Sequence, residues 1–416
     1  MIEAFKALRY NPRKVPDLRP VVQEMREKTA LNARAGEAHP YVAGQLMHPQ
    51  NSPEAFRQLI DRLLEHQVLL QEKLPCIYPY VQTFEAFGRR QLVSRYGFIA
   101  MVDLAGTRVY PHEAVLEPSI KQRLKFLRKT GLQAIPTHGL YQDNDFLLER
   151  LIQNNLGYPL AEVVDSNGVR HTLGRITDLK LIQRCRDVLR DKEIYLADGH
   201  HRLETHQRFL KEYREMRPSV PAGKLAYHLM YLSNFSGDDL RIRPFHRMVT
   251  LPQGFSAEDF EQALKEFFQL KPVSGRVPLT TILSELGDGG MVYLSRKQTF
   301  SLTLKPEFRH PAAISLPLSD TVKSLMYTVL HYFVFDRILG IPYAEQSHSQ
   351  RLHYFKSSGQ TQKRVLEGEG SEVAFLMPEI RPETMMAVCR GGDLMPQKST
   401  YFYPKVQGGM LFHQLF

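Results

Sequence analysis

Residues 195–205 read YLADGHHRLET, and this run joins an apolar strand to a helix through a polar turn. A turn of this kind exposes backbone N–H groups at the positive end of a helix, which is a natural anion site. Gly199 permits a tight turn or the close approach of a phosphate. His200, His201 and Arg202 add donors, and an arginine can bind two phosphate oxygens at once. The pattern predicts a phosphate-binding turn.

Asp198 opens the same turn, and a carboxylate beside phosphates requires a divalent cation or a proton. A Mg²⁺ ion that bridges phosphate oxygens would explain it, so we expect Asp198 to be a metal ligand. The alternative is structural: Asp198 caps the helix, and the two histidines pack in the turn. The row of adjacent donors favours the functional interpretation. A zinc site that adds His206 is less favoured, because the spacing is not HExxH and no cysteine lies nearby.

The composition is that of an ordinary globular protein, with 416 residues, 43% of them hydrophobic and 24% charged. This excludes global disorder, collagen and coiled-coil rods. Lysine and arginine number 54 against 44 acidic residues, and the net charge of +10 favours an anionic partner. The three cysteines lie far apart with no CxxC pair, which is typical of the reducing cytoplasm. We therefore expect a cytoplasmic protein whose partner is a nucleotide, a phosphorylated metabolite or a nucleic acid.

Strands and helices follow one another irregularly along the sequence, which predicts the α+β class. We expect two domains, at residues 1–250 and 251–416. Helices are predicted at Arg19–Glu37 and Pro53–Glu72. The most apolar run, Leu325–Leu339, is shorter than the roughly 20 residues that a bilayer requires. It predicts a buried helix, and we expect no membrane partner.

Glu113 closes the run Tyr110-Pro111-His112-Glu113, which precedes a helix rich in lysine and arginine. A carboxylate at the mouth of a basic face can act as a general base on a hydroxyl. Taken alone, the run is more simply a helix-entry glutamate beside a solvated basic face.

Residues 395–405 read MPQKSTYFYPK near the C-terminus. A Walker loop needs glycine before the lysine, and Gln397 holds that position, so a standard P-loop is excluded. Lys398, Ser399 and Thr400 would still form a good phosphate cradle, or a strand with a polar edge. A weaker cluster at residues 241–247 could line a pocket or cap a strand, and it supplies the candidates Phe245, His246 and Arg247.

Three motifs together resemble the free serine kinases of the ParB/sulfiredoxin-like superfamily: DGHHR at 198–202, Pro-His-Glu at 111–113 and Lys-Ser-Thr at 398–400. Over nearly its full length the chain also resembles a large bacterial family of unknown function that carries ADGHHR and MPxKSTYFYPK signatures. Two departures from the kinases are evident. Residues 1 to about 100 are largely an addition, and aromatic rather than basic residues follow the Lys-Ser-Thr run.

The resemblance implies a ParB/sulfiredoxin-like nucleotide-binding core in residues 1–250, with an N-terminal extension. A second, smaller α/β region at 251–416 would close a cleft and complete the site. The activity implied is a small-molecule kinase that uses Mg²⁺ with ATP or ADP, with free L-serine as the first candidate acceptor. A small molecule and a nucleotide are then the partners, and nucleic acid is not expected.

The resemblance also implies the role of each residue. Glu113 would take the proton of the substrate hydroxyl, and Asp198 would position Mg²⁺. The nucleotide would be held by Gly199, His200, His201, Arg202, Thr130 and Gly131. The substrate and the transferred phosphate would be held by Lys398, Ser399, Thr400, Phe245, His246 and Arg247.

A different class of function is a ParB-like nucleotide-dependent switch that binds DNA or regulates a partner. The basic charge permits it, but the sequence shows no convincing helix-turn-helix block and no long basic tail. Glu113 and Lys398 have no role in such a switch. A structural protein with a vestigial site is a third possibility.

Overall fold

The computed structural model describes residues 1–19, 21–22, 52–86, 91–237, 239–368 and 370–416. The chain divides into two compact units. Unit 1 comprises Met1–Pro111, Val115–Leu240 and Pro404–Phe416, and unit 2 comprises His112–Ala114 and Arg241–Tyr403. The predicted helix at Arg19–Glu37 falls almost wholly outside the described residues.

Unit 1 is built around a large mixed sheet. The strands of this unit, in and outside that sheet, are β1 (Ile2–Glu3), β2 (Leu8–Tyr10), β3 (Leu69–Gln71), β4 (Tyr78–Glu85), β5 (Leu92–Asp103), β6 (Val109–Tyr110), β7 (Leu132–Gln133), β8 (Thr137–Tyr141), β9 (Ala161–Val164), β10 (Arg170–Leu173), β11 (Ile194–Asp198) and β12 (Tyr227–Asn234). Among the described residues the sheet has nine strands, in the order β6-β11-β8-β12-β5-β4-β10-β9, and β1 pairs with β5. The pairs β11–β6 and β12–β8 are parallel. Two short antiparallel pairs, β2–β3 and β7 with the terminal strand His413–Gln414, complete the unit.

Capping residues mark the start of α1 and the end of α2 in unit 1. The helices are α1 (Pro53–Glu65), α2 (Glu117–Thr130), α3 (Leu147–Asn155), α4 (Leu179–Leu189), α5 (His200–Met216) and the 3₁₀ turn Gly223–Ala226. The side chain of Ser52 accepts a hydrogen bond from the Ala55 N–H and starts α1, with Pro53 at the first position. Gly131 ends α2 in a left-handed conformation, at a φ of 60°. The predicted helix start at Pro53 is confirmed, although α1 ends at Glu65 rather than Glu72.

Unit 2 contains a separate antiparallel sheet. The strands of this unit are β13 (Arg241–Arg243), β14 (His246–Thr250), β15 (Phe268–Pro272), β16 (Gly290–Leu294), β17 (Thr299–Leu304), β18 (Leu352–Phe355), β19 (Glu372–Leu376) and β20 (Tyr401–Tyr403). Six of the described strands form the sheet in the order β15-β17-β16-β19-β14-β18, and β13 pairs with β20. Every pair is antiparallel, so unit 2 differs from the α/β arrangement expected from the sequence. The α+β class of the chain is confirmed.

The helical segments of unit 2 are mostly short. They are α6 (Ala257–Phe267), α7 (Leu279–Leu286), α8 (Asp320–Lys323), α9 (Met326–Val329), α10 (Ser358–Glu367), α11 (Pro382–Arg390), a π-helix at Leu330–Ile338, and the 3₁₀ turns Gly287–Gly289, Pro306–Phe308, Pro311–Ala313 and Tyr343–His348. The apolar run 325–339 is buried as predicted, but it forms α9 followed by the π-helix rather than one α-helix. A π-helix has one more residue per hydrogen-bonded turn and turns its side chains out of α-helical register. Apolar content alone cannot reveal such a shift.

The two units have separate apolar cores. In unit 1, Phe98, Ala100 and Val102 of β5 pack with residues of β11 and β12, in a cluster below 10% exposure. In unit 2, Val292 and Ala374 pack with neighbouring strands and helices. All three cysteines are buried thiols. None of the helices in the described ranges has the length and apolarity needed to cross a membrane.

Candidate functional site

Asp198 lies at the end of β11, where the sequence turns from apolar to polar. The pairing of β11 with β8 shifts register between Leu196 and Asp198, as a β-bulge would, and bulges re-aim side chains beside functional sites. One carboxylate oxygen of Asp198 accepts a hydrogen bond from Lys405 Nζ. The other accepts one from Arg202 Nη2 at 2.8 Å. Asp198 is therefore clamped between two cations.

The electrostatics of Asp198 follow from this clamp. Burial alone would raise the pKa of Asp198, but the charges and hydrogen bonds of Lys405 and Arg202 outweigh it. They hold this pKa well below its usual range, so the carboxylate stays ionised at any physiological pH. It can orient cations, but it cannot accept a proton from a substrate hydroxyl.

The same clamp tests the predicted magnesium site. Magnesium in proteins uses one or two carboxylates that are free to bind it, together with waters and substrate phosphates. Both oxygens of Asp198 are already bonded to cations. In the part of the chain that the structure describes, no group of three or more His, Cys, Asp or Glu side chains could hold a metal ion. Asp198 in this arrangement does not fit a magnesium ligand, and no step is assigned to the metal below.

Gly199 makes the turn between β11 and α5 possible. Its φ of 95° lies in the region that favours glycine, and it stands at the N-cap of α5 without a side-chain cap. A Cβ atom placed there would lie 2.6 Å from Thr137 Cγ2 and 2.8 Å from Arg202 Nη2. The backbone at Gly199 therefore lies closer to Thr137 and Arg202 than any residue with a Cβ atom would allow.

Thr137 is held in place by a chain of buried hydrogen bonds. His206 Nε2 lies 2.9 Å from the Leu225 carbonyl, which can only accept, so that nitrogen carries the proton. His206 Nδ1 then accepts from His228 Nδ1 at 2.9 Å. His228 Nε2 in turn accepts from the Thr137 hydroxyl at 3.1 Å. Both rings are neutral, since burial lowers the pKa of each. This series of hydrogen bonds fixes the Thr137 side chain, against which Gly199 packs.

The guanidinium of Arg202 is only partly hydrogen-bonded within the described residues. Its Nη2 bonds to Asp198 and lies 3.5 Å from the Pro136 carbonyl. Its Nε is buried and has no acceptor among the described residues. A buried N–H without an acceptor costs about 1–3 kcal/mol. A phosphate oxygen at the start of α5 would satisfy this donor.

The remaining residues predicted to bind nucleotide lie at different places in unit 1. His200 is buried at the start of α5, and His201 Nε2 accepts the Leu116 N–H at 3.0 Å. The Thr130 hydroxyl donates to the Phe126 carbonyl at 2.9 Å, within the last turn of α2. A Cβ on Gly131 would lie 2.9 Å from the ring of Phe416. Thr130 and Gly131 thus have the contacts of a helix end, and no contact here joins them to Asp198.

In unit 2 the central feature is Glu113. It forms a parallel β-bridge with Met395, and the Met395 N–H donates to the His112 carbonyl at 2.8 Å. Glu113 Oε1 accepts the backbone N–H of Lys398 at 2.9 Å. Lys398 has a φ of 59°, which is uncommon for a residue other than glycine and is found at sites under functional constraint. The strained turn presents its N–H to the carboxylate.

The two hydroxyls beside Lys398 hold this turn. Ser399 Oγ donates to the Pro396 carbonyl at 2.6 Å. Thr400 Oγ1 lies 2.8 Å from His112 Nε2. Both residues are buried, whereas Lys398 is exposed. Within the described part of unit 2, no carboxylate pairs with Lys398 Nζ, which lies 5.8 Å from the centre of the Phe245 ring.

Phe245, His246 and Arg247 lie where β14 begins. The Phe245 ring meets the Tyr401 ring edge-on, with centres 5.7 Å apart. His246 is buried, and its Nδ1 accepts the Met377 N–H at 3.2 Å. Arg247 is fully buried, and its Nη2 donates to the Gln397 carbonyl at 3.2 Å, next to Lys398. Unit 2 thus joins Glu113, Lys398, Arg247 and Phe245.

A cavity of about 420 Å³ lies elsewhere in unit 2. Leu286, Phe308, Arg309 and Lys323 are among the residues that line it. None of the predicted site residues lines this cavity.

A family model described as protein of unknown function (DUF1015) matches residues 2–327. The chain belongs to the DUF1015 family. The prediction that it belongs to a family of unknown function is confirmed. The match in this DUF1015 chain includes Glu113 and the turn at Asp198, and it ends before Lys398. A search of the curated proteins finds no match.

Solved structures similar to this DUF1015 chain include a mutant free serine kinase in complex with AMP. That structure has a TM-score of 0.38 and 12% identity, covering 74% of this chain and 92% of that one. A conserved hypothetical protein from Pyrococcus furiosus has a TM-score of 0.38 and 12% identity, covering 76% and 95%. A C-terminally truncated SbnI from Staphylococcus aureus has a TM-score of 0.36 and 8% identity, covering 74% and 85%.

Two site residues were missed from the sequence. Lys405 lies within the quoted C-terminal run, yet only the structure shows that its ammonium bonds to Asp198, a residue 207 positions earlier. His331 belongs to an apolar run and gave no signal beyond its polarity, although it bonds to Arg247. In both cases the partner comes from a distant part of the chain, and spacing along the sequence cannot indicate it.

Proposed function

We propose that this chain is a nucleotide-dependent phosphotransferase that moves a phosphoryl group from ATP or ADP to the hydroxyl of a small molecule. Free L-serine is the first acceptor to test. The observation that carries the proposal is the Glu113 carboxylate, which a backbone N–H of the strained Lys398 turn fixes at 2.9 Å. A carboxylate fixed by the backbone of a lysine is suited to accept a hydroxyl proton, while the ammonium of that lysine, which has no carboxylate partner among the described residues, attracts a phosphoryl group.

The turn at Asp198 supplies the nucleotide-binding part of the proposal. Phosphoryl transfer needs charge neutralisation and alignment more than covalent help from the protein. The start of α5, the buried Arg202 Nε and the Lys405 ammonium place donors and positive charge in one region of unit 1. In this proposal unit 1 has a ParB/sulfiredoxin-like core, and Asp198 orients Lys405 and Arg202 toward the phosphates. We place the activity in the cytoplasm, where these nucleotides are available.

The acceptor oxygen forms a bond to the terminal phosphorus of the nucleotide while the bridging P–O bond breaks. The bridging electron pair stays with the departing nucleotide, which becomes ADP from ATP, or AMP from ADP. The hydroxyl proton goes to Glu113. Lys398 neutralises charge on the transferred group.

The test is phosphorus NMR of the purified protein with serine and each of ATP, ADP and CTP, in Mg²⁺ and in EDTA. We expect a new phosphomonoester signal with ATP or ADP, and its loss in Glu113→Gln with nucleotide binding retained. Glu345→Gln is the matched control, because Glu345 is an exposed glutamate of the same unit. Normal turnover in Glu113→Gln would remove Glu113 as the base.

Two other outcomes would redirect the proposal. Nucleotide hydrolysis without a monoester would exclude serine and call for a screen of hydroxyl acceptors. Absence of both turnover and nucleotide binding would reject the phosphotransferase. DNA retention that falls steeply with salt would then favour a DNA-binding switch, because binding driven by phosphate contacts is strongly salt-dependent.

A further inference from the structure

Arg247 is a fully buried cation whose hydrogen-bonding partners in unit 2 are all neutral. Its Nε lies 3.3 Å from His331 Nε2, its Nη1 donates to the Phe245 carbonyl at 2.5 Å, and its Nη2 donates to the Gln397 carbonyl. Its guanidinium lies 4.5 Å from the centre of the Tyr327 ring. The described part of the unit shows no carboxylate bonded to it. Burying such a charge is costly, so its retention needs a reason.

Another buried arginine shows the ordinary solution. Arg95 of unit 1 is also almost fully buried, but its Nε donates to the Asp239 carboxylate at 3.0 Å. That ion pair compensates the charge within the fold. Arg247 instead donates to the backbone on both sides of its site, to Phe245 and to Gln397. Its contacts orient main chain rather than neutralise charge.

The direction of each hydrogen bond behind Arg247 can be assigned. A guanidinium only donates, so His331 Nε2 must accept, and the ring proton lies on Nδ1. His331 Nδ1 then donates to Gln346 Oε1 at 2.6 Å. The Gln346 amide nitrogen donates to the carbonyls of His331 and Ile341, each at 2.9 Å. The tautomer of His331 is therefore set by a fully bonded glutamine.

The π-helix explains why a histidine occupies this place. His331 lies in its first turn, within Leu330–Ile338, among apolar neighbours. Segments of π-helix are frequent at functional sites, because the wider turn re-aims side chains. Here one polar ring from an apolar helix meets the guanidinium of Arg247. The chain of contacts runs from Gln346 through His331 and Arg247 to Gln397, and the next residue is Lys398.

We infer that Arg247, oriented by His331 and Gln346, is a positioning residue that holds the Lys398 turn so that its backbone N–H meets Glu113. In this inference Arg247 acts through the Gln397 carbonyl, and its charge also interacts electrostatically with the Glu113 carboxylate. Its charge also adds positive potential near the Lys398 turn, where the phosphoryl group would be held. The catalytic consequence rests on the proposed function, whereas the structural consequence does not.

Amide hydrogen exchange over residues 395–400 tests the structural consequence without any activity. In Arg247→Met we expect exchange of the Lys398 amide to become about tenfold faster or more, because the turn loses its carbonyl anchor. Arg351→Met is the matched control, since Arg351 is another arginine of unit 2 that donates to a backbone carbonyl, that of Thr250 at 3.0 Å. Unchanged Lys398 exchange in a folded Arg247→Met protein would overturn the inference.

A milder pair of variants covers the case in which Arg247→Met fails to fold. His331→Leu removes the acceptor for Arg247 Nε, and His331→Gln restores an acceptor at a similar distance from the backbone. We expect His331→Leu to speed exchange of the Lys398 amide and His331→Gln to recover at least half of the protection. Equal exchange in these two variants and the wild type would also overturn the inference.

The catalytic consequence has its own measurement. If the wild type transfers phosphate, His331→Leu should lower kcat about tenfold or more and leave the nucleotide Kd unchanged, and Arg351→Met should change neither. If the wild type shows no transfer but exchange responds as expected, the proposed function fails and the positioning role stands. If transfer occurs and exchange does not respond, the positioning role fails alone.

Discussion

The carboxylates of Asp198 in unit 1 and Glu113 in unit 2 are held in opposite ways. Asp198 is bonded to two side-chain cations, Lys405 and Arg202. Glu113 accepts one backbone N–H, and no cation pairs with it among the residues that the structure describes. The two cations at Asp198 hold the pKa of that carboxyl well below its usual range, so it is a poor proton acceptor. This contrast supports the proposal in which Glu113 accepts the proton and Asp198 orients cations.

The largest expected effect is a difference in protein stability between variants of these two carboxylates. Asp198→Asn leaves two partly buried cations without their counter-ion and should lower the free energy of unfolding by about 3 kcal/mol. Glu113→Gln keeps an oxygen that can accept the Lys398 N–H and should change this energy by less than about 1 kcal/mol. Urea unfolding of both variants measures the difference.

A second substitution shows whether the loss comes from charge. Adding Lys405→Met to Asp198→Asn removes one of the stranded cations and should return part of the lost stability, as a double-mutant cycle would report. Equal losses in Asp198→Asn and Glu113→Gln would remove the contrast between the two units.

The next effect concerns anion binding in unit 1. Arg202→Ala removes both the partner of Asp198 and the buried Nε donor. A hydrogen bond to a charged group contributes about 1.5–3 kcal/mol, so nucleotide affinity should fall about 10- to 100-fold. Calorimetric titration measures it, and Arg208→Ala is the control on the same helix, where Arg208 pairs with Glu204 and Glu117 at the surface. Unchanged affinity in Arg202→Ala would exclude Arg202 from the phosphate site.

Local sequence signals account for much of the fold. The strands β4 and β5 are rich in β-branched and aromatic residues, and they pair antiparallel from Tyr78–Ile99 to Glu85–Leu92. The Asp165–Gly168 turn follows from local chemistry, because Asp165 and glycine are turn formers and Asp165 Oδ1 accepts the Asn167 and Val169 N–H groups. These features depend on neighbours within a few residues, which a sequence displays directly.

Long-range contacts in the sites were not predictable in the same way. The sequence indicated Asp198 and Arg202 because both lie in one short run, but Lys405 joins them only through the fold. Lys398 was predicted as a phosphate ligand, and its left-handed backbone gave no sequence signal, since lysine rarely adopts it. The magnesium assignment to Asp198 followed from one carboxylate beside donors. That assignment did not include Lys405, whose ammonium bonds to Asp198 in the fold.

A smaller effect tests how closely the unit 1 turn must pack. Gly199→Ala places a Cβ 2.6 Å from Thr137 Cγ2 at a φ of 95°. The left-handed backbone alone costs about 1–2 kcal/mol for a residue other than glycine, so we expect a loss of about 2 kcal/mol in thermal or urea unfolding. Gly223→Ala is the matched control, because its φ of 53° is also positive but a Cβ there meets no atom within 4 Å. A larger loss in Gly199→Ala than in Gly223→Ala would measure the close contacts with Thr137 and Arg202. Equal losses would show that only the left-handed backbone matters.

The smallest effect compares buried histidines of the two units by pH. Burial lowers the pKa of His206 in unit 1 to about 4, although the bond to the Leu225 carbonyl raises it. In unit 2, burial followed by the charge of Arg247 lowers the pKa of His246 to about 4. Between pH 4 and the usual value near 6.5 the unfolded chain binds more protons at these rings than the folded chain does. The free energy of unfolding therefore falls as pH is lowered through this window, by at most about 1.4 kcal/mol per pH unit for each ring.

Replacing either histidine by glutamine should make the fall in unfolding free energy between pH 6.5 and 5 shallower. His66→Gln, at an exposed position of unit 1, provides the baseline. The pH slope of the free energy of unfolding could change in His206→Gln but not in His246→Gln. That result would show that His246 is protonated without loss of stability, which would contradict the lowered pKa expected from its burial and from the charge of Arg247.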